Sequence, residues 1–204
     1  MTEKQEILWH QGQVTAAERQ KFLGLTQQPF VFWFTGLSGA GKSTLAFALE
    51  RRLISTGVLC TVLDGDNVRH GLNRDLGFSP HDRTENIRRV AEVSRLMIDA
   101  GLIVIASFIS PYRIDRAMAK AIIGSENFVE VYLSASLEAC EQRDTKGLYR
   151  KARSGDLPSF TGISSPYEPP DNPELSVDTT TLTLDACVAS LLQAWKHKSR
   201  DLLY

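Results

Sequence analysis

The chain has 204 residues, of which 43% are hydrophobic and 23% are charged, a composition typical of a single globular domain. Its 23 basic and 24 acidic side chains leave a formal net charge of −1, which excludes a bulk electrostatic attraction to nucleic acid. The polar N-terminal segment lacks a secretory signal, and no stretch is apolar for long enough to span a bilayer. We therefore expect a cytoplasmic protein with no nucleic-acid or membrane partner.

The three cysteines, Cys60, Cys140 and Cys187, are scattered along the chain without a Cys-x-x-Cys pair. An odd number of isolated cysteines is typical of buried thiols in a reducing compartment, rather than of a disulfide framework or a zinc site. This pattern favours the same cytoplasmic location.

The first 28 residues are a polar lead-in, in which Thr15 can cap a short helix that ends near residue 23. An apolar run over residues 29–34 predicts the first strand of a domain that covers residues 29–204. The strand leads into Gly36-x-x-x-x-Gly41-Lys42-Ser43, and an amphipathic helix pattern follows over residues 42–55. A strand before and a helix after this motif are the context of a P-loop.

The residue types of this loop suit the phosphates of ATP. Glycines let consecutive backbone N–H groups curl around phosphate oxygens, and the new helix directs its positive dipole end at the same anion. Lys42 can reach the β- and γ-phosphates, and the Ser43 hydroxyl can bind Mg²⁺. A plain glycine-rich turn is the alternative, which the flanking strand and helix disfavour. The predicted ATP-binding residues of the loop are Gly36, Leu37, Ser38, Gly39, Ala40, Gly41, Lys42, Ser43 and Thr44.

Residues 58–63 predict a second strand, apolar enough to be buried on both faces. The strand ends in Asp64-Gly-Asp66-Asn-Val-Arg69. Ligands bind at the carboxyl ends of the strands in open α/β folds, so we expect Asp64, Asp66 and Arg69 to lie opposite the P-loop. A solvated turn is the alternative, because Asp-Gly is a favoured turn pair.

Ser79 and Pro80 predict the N-cap and first residue of a helix that ends near residue 100. Arg83 and Asn86 continue the buried stripe of this helix toward its N-terminus. Both should therefore project into the same cleft, next to an exposed Phe78. A solvated, ion-paired helix face is the alternative for Arg83.

A third apolar strand, over residues 102–108, delivers Ile109 and Ser110 to the cleft. Spacing alone leaves two readings of Ser110 open, a catalytic role or the N-cap of a helix over residues 112–122 with Pro111 at its first position. A fourth strand over residues 128–133 and a short helix over residues 137–143 follow.

Residues 144–173 contain three glycines and five prolines. They also carry the basic residues Lys146, Arg150, Lys151 and Arg153. A basic, glycine-punctuated segment beside a phosphate site predicts a mobile lid, and a plain surface loop is the alternative. A short strand near residues 175–177 and a helix from about residue 184 to 196 complete an α/β fold, a P-loop-type parallel sheet with helices on both faces.

These features favour a kinase for a small acceptor. A GTPase would carry an Asn-Lys-x-Asp motif, and the chain has none. A motor or transporter would need an acid after a Walker B strand, whereas the third strand ends in Ser-Phe-Ile-Ser. A hydroxyl acceptor needs a carboxylate, an anionic acceptor needs arginines, and a purine needs flat partners such as Phe78 and Phe160. The residues alone do not name the acceptor.

Several motifs, in order and over nearly all of residues 7–195, resemble those of adenylyl-sulfate kinases. The matching segments are Gly36-Leu-Ser-Gly-Ala-Gly-Lys-Ser-Thr44, Leu63-Asp-Gly-Asp-Asn-Val-Arg-His-Gly-Leu-Asn73, Asp75-Leu-Gly-Phe78, Asp82-Arg83 with Glu85-Asn-Ile-Arg88, Phe108-Ile-Ser-Pro111, Lys146-Gly-Leu-Tyr149 and Phe160-Thr-Gly162. The resemblance implies transfer of the ATP γ-phosphate to the 3′-hydroxyl of adenosine 5′-phosphosulfate (APS), which gives 3′-phosphoadenosine 5′-phosphosulfate (PAPS). It further implies Mg²⁺, a homodimer and a functional link to ATP sulfurylase.

The resemblance also implies residue roles. The catalytic residues would be Asp66 as general base, Lys42 and Ser110. Asp64 would lie near the magnesium with Ser43, and Arg143 near the ATP adenine. The acceptor would contact Asp64, Asp66, Arg69, Phe78, Arg83, Asn86, Ile109, Ser110, Lys146, Leu148 and Phe160, with the two phenylalanines on either side of its adenine and the three cleft residues Arg69, Arg83 and Asn86 on its phosphosulfate.

Bacterial members of this family are described with a phosphoserine at the position of Ser110. Direct in-line transfer needs only positioning and charge stabilisation, so we expect no obligatory phosphoenzyme. Another small-molecule kinase of the same fold and a catalytically silent ATP-binding module are the rival readings.

Overall fold

The computed structural model describes residues 8, 10–25 and 27–201, with the backbone alone for residues 197–201. Parts of the predicted lead-in and the last three residues of the predicted domain lie outside this range. Five parallel strands form one sheet in the order β2-β3-β1-β4-β5. The strands are β1 (Val31–Thr35), β2 (Cys60–Asp64), β3 (Ile103–Ser107), β4 (Phe128–Leu133) and β5 (Leu175–Val177). The predicted parallel α/β fold is confirmed.

Helices alternate with the strands along the chain. They are α1 (Ala16–Leu23), α2 (Lys42–Ser55), α3 (Gly65–Arg69), α4 (Pro80–Asp99), α5 (Arg113–Ile123), α6 (Leu137–Arg143), α7 (Leu148–Arg153) and α8 (Leu184–Asp201), with a 3₁₀ turn at Ser125–Asn127. The predicted caps are present, because the Thr15 hydroxyl accepts from the Glu18 amide and the Ser79 hydroxyl from the Asp82 amide. None of the helices in the described part of the chain is long and apolar enough to cross a membrane.

The central strand β1 divides the core into two halves. Its residues alternate between the faces of the sheet, so Phe32 and Phe34 pack with the α2 side and Val31 and Trp33 pack with the α4 and α5 side. All five residues of β1 are fully buried. The strand is therefore held on both faces, and the loop that follows it starts from a rigid base.

The sequence-based prediction was wrong about β2 and incomplete about the segment that follows it. The strand lies at the edge of the sheet and pairs only with β3, so Thr61, Val62 and Leu63 are only partly buried instead of covered on both faces. The segment after it is a one-turn helix, α3, rather than an irregular turn. The Asp64 side chain caps this helix by accepting from the Asp66 amide at 3.1 Å.

The capping role considered for Ser110 is also wrong. Tyr112 is the N-cap residue of α5, which begins at Arg113, and it makes no side-chain capping bond. Ser110 instead adopts a left-handed backbone with φ of 38°, and its hydroxyl accepts from Trp33 Nε1 at 3.2 Å. The buried indole N–H needs an acceptor, and this tertiary contact replaces the local cap.

Candidate active site

A cavity of about 540 Å³ opens at the carboxyl ends of β1, β2 and β3. The predicted site residues that line it are Ser38, Gly39, Gly41, Lys42, Ser43, Thr44, Asp64, Asp66, Arg69, Phe78, Arg83, Asn86, Ile109, Ser110, Arg143, Lys146 and Leu148. The predicted residues outside the lining are Gly36, Leu37, Ala40 and Phe160. One sheet edge thus brings the P-loop, the segment after β2, the start of α4 and the lid to a common space.

Gly36 and Leu37, at the start of the P-loop, do not line the cavity, and their carbonyl groups are bound by Lys42. The Lys42 ammonium donates to the Gly36 and Leu37 carbonyls at 2.9 and 2.7 Å. Gly36 has φ of 150°, and a Cβ at this position would lie 2.8 Å from the Leu133 carbonyl oxygen. Only glycine fits this close approach to β4, so these residues shape the loop from behind.

Other elements hold the P-loop from the lid side. Tyr149 Oη donates to the Ser38 carbonyl at 2.8 Å, Arg143 Nη1 to the Gly39 carbonyl at 3.1 Å, and Thr179 Oγ1 to the Ala40 carbonyl at 2.9 Å. With these carbonyls bound from outside, the loop is fixed without a ligand.

Burial dominates the electrostatics of Lys42. Loss of solvation lowers the pKa of this ammonium to about 8, although the nearby Cys140, Asp64 and Asp66 act in the opposite direction. A buried lysine that lacks a full counter-charge is poised to gain stabilisation from an anion. The cavity therefore favours a polyanion next to the P-loop.

Ser43 and Asp64, the two residues expected near a magnesium ion, lie in contact with each other. The Ser43 hydroxyl donates to Asp64 Oδ2 at 2.6 Å, and Asp64 is buried at the end of β2. Over the residues that the structure describes, no group of three or more His, Cys, Asp or Glu side chains could hold a metal ion. One hydroxyl and one carboxylate suit Mg²⁺, which takes its remaining ligands from phosphates and water.

Asp66 lies in the first turn of α3 with its carboxylate exposed to the cavity. Lys146 of the lid forms an ion pair with this carboxylate, and the hydrogen bond raises the pKa of the lysine. The lid cation therefore lies directly on the predicted general base.

The two predicted substrate arginines are both engaged by carbonyl groups. Arg69 Nη1 donates to the Leu76 and Gly77 carbonyls at 3.0 Å each, and its guanidinium carbon lies 4.5 Å from the centre of the Phe78 ring. Arg83 donates to the Phe78 carbonyl at 3.0 Å and reaches the lid. Arg69 thus stiffens the loop before α4, and Arg83 connects that loop to the lid.

The lid contacts of Arg83 are specific. Its Nη2 donates to the Ser159 carbonyl at 2.6 Å and its Nη1 to the Thr161 hydroxyl at 3.0 Å. Phe160, between these residues, is 8% exposed and packs edge-on against Tyr149 with ring centres 5.0 Å apart. Phe78 is 58% exposed. The Phe160 ring therefore belongs to the core, and Phe78 is the exposed member of the pair predicted for the acceptor adenine.

Asn86 presents one end of its amide to the cavity. Its Oδ1 accepts from Asn73 Nδ2 at 3.0 Å, and both residues are buried. The Asn86 Nδ2 group is the part of the amide left for a ligand, and it can donate to an anion. Asn73 was not a predicted site residue. It lies 13 positions before Asn86, and no helix or strand periodicity relates the two residues.

A further wall of the cavity, formed by the loop after β5 and the start of α8, contains no residue predicted for the site. Its residues are Thr179, Leu182, Leu184 and Cys187. Arg143 Nη2 donates to the Thr179 carbonyl at 2.7 Å, so this wall and the P-loop share one hydrogen-bond network. The predicted strand at residues 175–177 could have indicated this wall, because ligands bind at the carboxyl ends of the strands in a parallel sheet.

Comparisons with known proteins agree on one family. The family described as Adenylylsulphate kinase matches residues 28–178. The adenylyl-sulfate kinase of Staphylococcus epidermidis is 52% identical over 97% of this chain and 98% of its own length. This similarity therefore extends over the P-loop, the acceptor side of the cavity and the lid.

Solved structures give the same result. The Mycobacterium tuberculosis APS kinase in complex with AMPPNP and APS has a TM-score of 0.81 and 44% identity, over 83% of this chain and 99% of that one. A hexameric APS kinase from Thiobacillus denitrificans has a TM-score of 0.64 and 36% identity, over 90% of this chain and 32% of that one. With its P-loop, its acidic second strand end and its lid around one cavity, the chain belongs to the adenylyl-sulfate kinase family, the kinases that convert APS to PAPS with ATP.

Proposed function

We propose that this chain transfers the γ-phosphoryl group of ATP directly to the 3′-hydroxyl of APS, with Asp66 as the general base. The observation that carries the proposal is the arrangement of one cavity, in which the P-loop forms one wall and Asp66, Arg69, Arg83 and Asn86 form another. A donor site and an anion-binding acceptor site on one sheet edge are what in-line transfer between two nucleotides requires.

In the donor half, the P-loop amides and Lys42 hold the phosphates of ATP. The neighbouring wall with Arg143 and Thr179 receives the adenine. Thr179 follows β5 and Asp66 follows β2, which are the two opposite edges of the sheet, so this wall lies on the side of the P-loop away from Asp66. The relative from Mycobacterium tuberculosis binds AMPPNP and APS together, which supports two nucleotide sites in one cavity here.

Ser43 and Asp64 would hold Mg²⁺. Their 2.6 Å hydrogen bond places a hydroxyl and a carboxylate side by side next to Lys42, and this donor set fits a hard cation. When bound, the ion neutralises the charge of the phosphate oxygens. The P-loop itself is already formed by the protein's own contacts.

In the acceptor half, Asp66 orients the 3′-hydroxyl and takes its proton. Lys146 leaves Asp66 as the lid closes and moves to the phosphates. The Asn86 amide and the guanidinium groups of Arg69 and Arg83 bind the phosphosulfate. The exposed Phe78 ring receives the adenine, with Ile109 and Leu148 contributing apolar surface. Phe160 would join only after a movement of the lid.

We propose no covalent role for Ser110. Its side chain is 2% exposed, and its hydroxyl accepts from the Trp33 indole. A phosphoryl group on this oxygen would bring about two negative charges into a buried position and take the place of the acceptor of the Trp33 N–H. Ser110 instead shapes the acceptor wall through its backbone.

We also propose that the enzyme is a cytoplasmic homodimer. Exposed apolar residues on the N-terminal segment, Phe22 and Leu23 among them, support a homodimer, and the hexameric relative supports self-association. The three cysteines are free and buried, as expected for a cytoplasmic protein. APS is formed by adenylyl transfer to sulfate, so we also propose a functional link to ATP sulfurylase.

One assay of PAPS formation, run on the parent protein and on Asp66→Asn, tests both the proposed reaction and the proposed general base. The purified protein with ATP, Mg²⁺ and APS should form PAPS, and it should leave AMP, gluconate and shikimate unchanged. Asp66→Asn should lower kcat by roughly 10²–10⁴-fold, because the hydroxyl loses its proton acceptor, while the Kd for ATP stays as in the parent protein. Asp99→Asn, at an exposed site on α4, is the matched control. Near-normal turnover by Asp66→Asn would remove Asp66 as the base.

Ser110→Ala separates a structural serine from a phosphoenzyme. We expect kcat within about twofold of the parent value, since direct transfer does not pass through this residue. Unfolding by urea should show a loss of about 1–3 kcal/mol, because the buried Trp33 N–H loses its acceptor. A collapse of kcat with unchanged stability would instead favour the phosphoenzyme.

The lowered pKa of Lys42 predicts a pH dependence of ATP binding. The triphosphate favours the charged lysine, so above pH 8 the protein must take up a proton when ATP binds, and its affinity should fall by up to about tenfold per pH unit. Calorimetry in two buffers of different ionisation enthalpy should show proton uptake at pH 9 that is small at pH 7. Lys120→Met, at a partly exposed position on α5 outside the cavity lining, should leave this uptake unchanged. Equal proton uptake at both pH values would contradict the prediction.

A further inference from the structure

We propose that Arg116 is a positioning residue for the acceptor. Its buried guanidinium fixes the acceptor loop, defined as residues 108–111, and joins that loop to the end of the lid. Its loss should therefore weaken APS binding far more than ATP binding. The proposal deepens, and rests on, the function proposed above.

All three nitrogen atoms of the Arg116 guanidinium donate hydrogen bonds. The side chain lies on α5 and is 4% exposed. Its Nε donates to Glu130 Oε1 on β4 at 2.7 Å, its Nη1 to the Ser110 carbonyl at 2.7 Å, and its Nη2 to the Glu168 carbonyl at 2.8 Å. These acceptors belong to three separate segments. A lysine cannot reproduce a planar fork with this reach.

The acceptor loop needs such support because it is strained. Ser110 is not a glycine, yet its φ is 38°, and such conformations persist only where surrounding contacts over-determine them. The Ser110 carbonyl is held by Arg116 and its hydroxyl by Trp33. The Ile109 carbonyl accepts from Thr35 Oγ1 at 2.8 Å. Ile109 and Ser110 then present a fixed wall to the cavity.

The same guanidinium attaches the lid to this loop. The Glu168 amide donates to the Pro111 carbonyl at 2.8 Å, and the Glu168 carboxylate accepts from the Arg113 amide at 2.8 Å. Arg116 adds the third contact, at the Glu168 carbonyl. The lid end therefore moves with the acceptor loop rather than independently of it. Its other part, at Ser159, is tied to Arg83 on the acceptor side of the cavity.

The donor site depends on different contacts. Lys42, Tyr149, Arg143 and Thr179 bind the P-loop carbonyls directly. None of these four residues bonds to Arg116. The two halves are connected at the Ile109 carbonyl, which accepts from Thr35 Oγ1 at 2.8 Å and from the Gly36 amide at 3.5 Å. A residue that only stabilised the fold would affect both substrates alike, so the difference between their KM values distinguishes positioning from bulk stability.

The test compares Arg116→Lys with Arg52→Lys. Arg52 lies in the last turn of α2, is exposed and does not line the cavity. Arg116→Lys should raise the KM for APS by about tenfold or more and change the KM for ATP by less than about twofold. Arg52→Lys should change neither. Assays are run well below the melting temperature of each variant, as measured by calorimetry.

Glu130→Gln provides a second variant in case Arg116→Lys does not fold. It keeps the guanidinium and an acceptor for its Nε but removes the counter-charge, so we expect a smaller effect, about threefold on the KM for APS, with the KM for ATP unchanged. An equal rise in both KM values, or none, in whichever of the two variants folds would overturn the proposal. If the parent protein does not phosphorylate APS, the proposed function fails instead, which keeps the two outcomes distinguishable.

Discussion

The whole site depends on the parallel direction of the strands. Because every strand in the sheet runs the same way, the ends of β1, β2, β3 and β5 open onto one edge, and the segment after each contributes a wall of the cavity. Complete burial of β1 makes this edge rigid at its centre. The chemistry is then distributed over segments distant in sequence, each delivered by a buried strand.

The two halves of the cavity differ in how they are held. On the donor side, carbonyl groups of the P-loop are bound by fixed side chains, and burial lowers the pKa of the Lys42 ammonium. On the acceptor side, Asp66, Phe78 and Lys146 are exposed, and their surroundings include a lid joined through Arg83. A preformed donor site and an adjustable acceptor site suit an enzyme that must exclude water only once both substrates are bound.

Features that depend on residues close together in sequence were predicted correctly. The P-loop, the caps at Thr15 and Ser79 and the acidic end of the second strand follow from spacing, and the structure places them as expected. The errors arose where distant residues decide. The Ser110 hydroxyl bonds to the indole of Trp33, 77 positions away in sequence, instead of capping a helix. The edge position of β2 was not predicted because the composition of a strand does not determine its place in the sheet. Thr179 was missed although the strand before it was predicted, because its contacts with Ala40 and Arg143 join residues 139 and 36 positions apart.

The ion pair between Lys146 and Asp66 has a consequence for fidelity. An ATP-loaded kinase is exposed to water, which can replace the acceptor and waste the nucleotide. With Asp66 as the proposed base, its ion pair with Lys146 would keep the carboxylate engaged and away from a water molecule at that position. An acceptor that brings its own negative charges would offer Lys146 a second partner and free the carboxylate. The acceptor would then favour its own phosphorylation over idle hydrolysis of ATP.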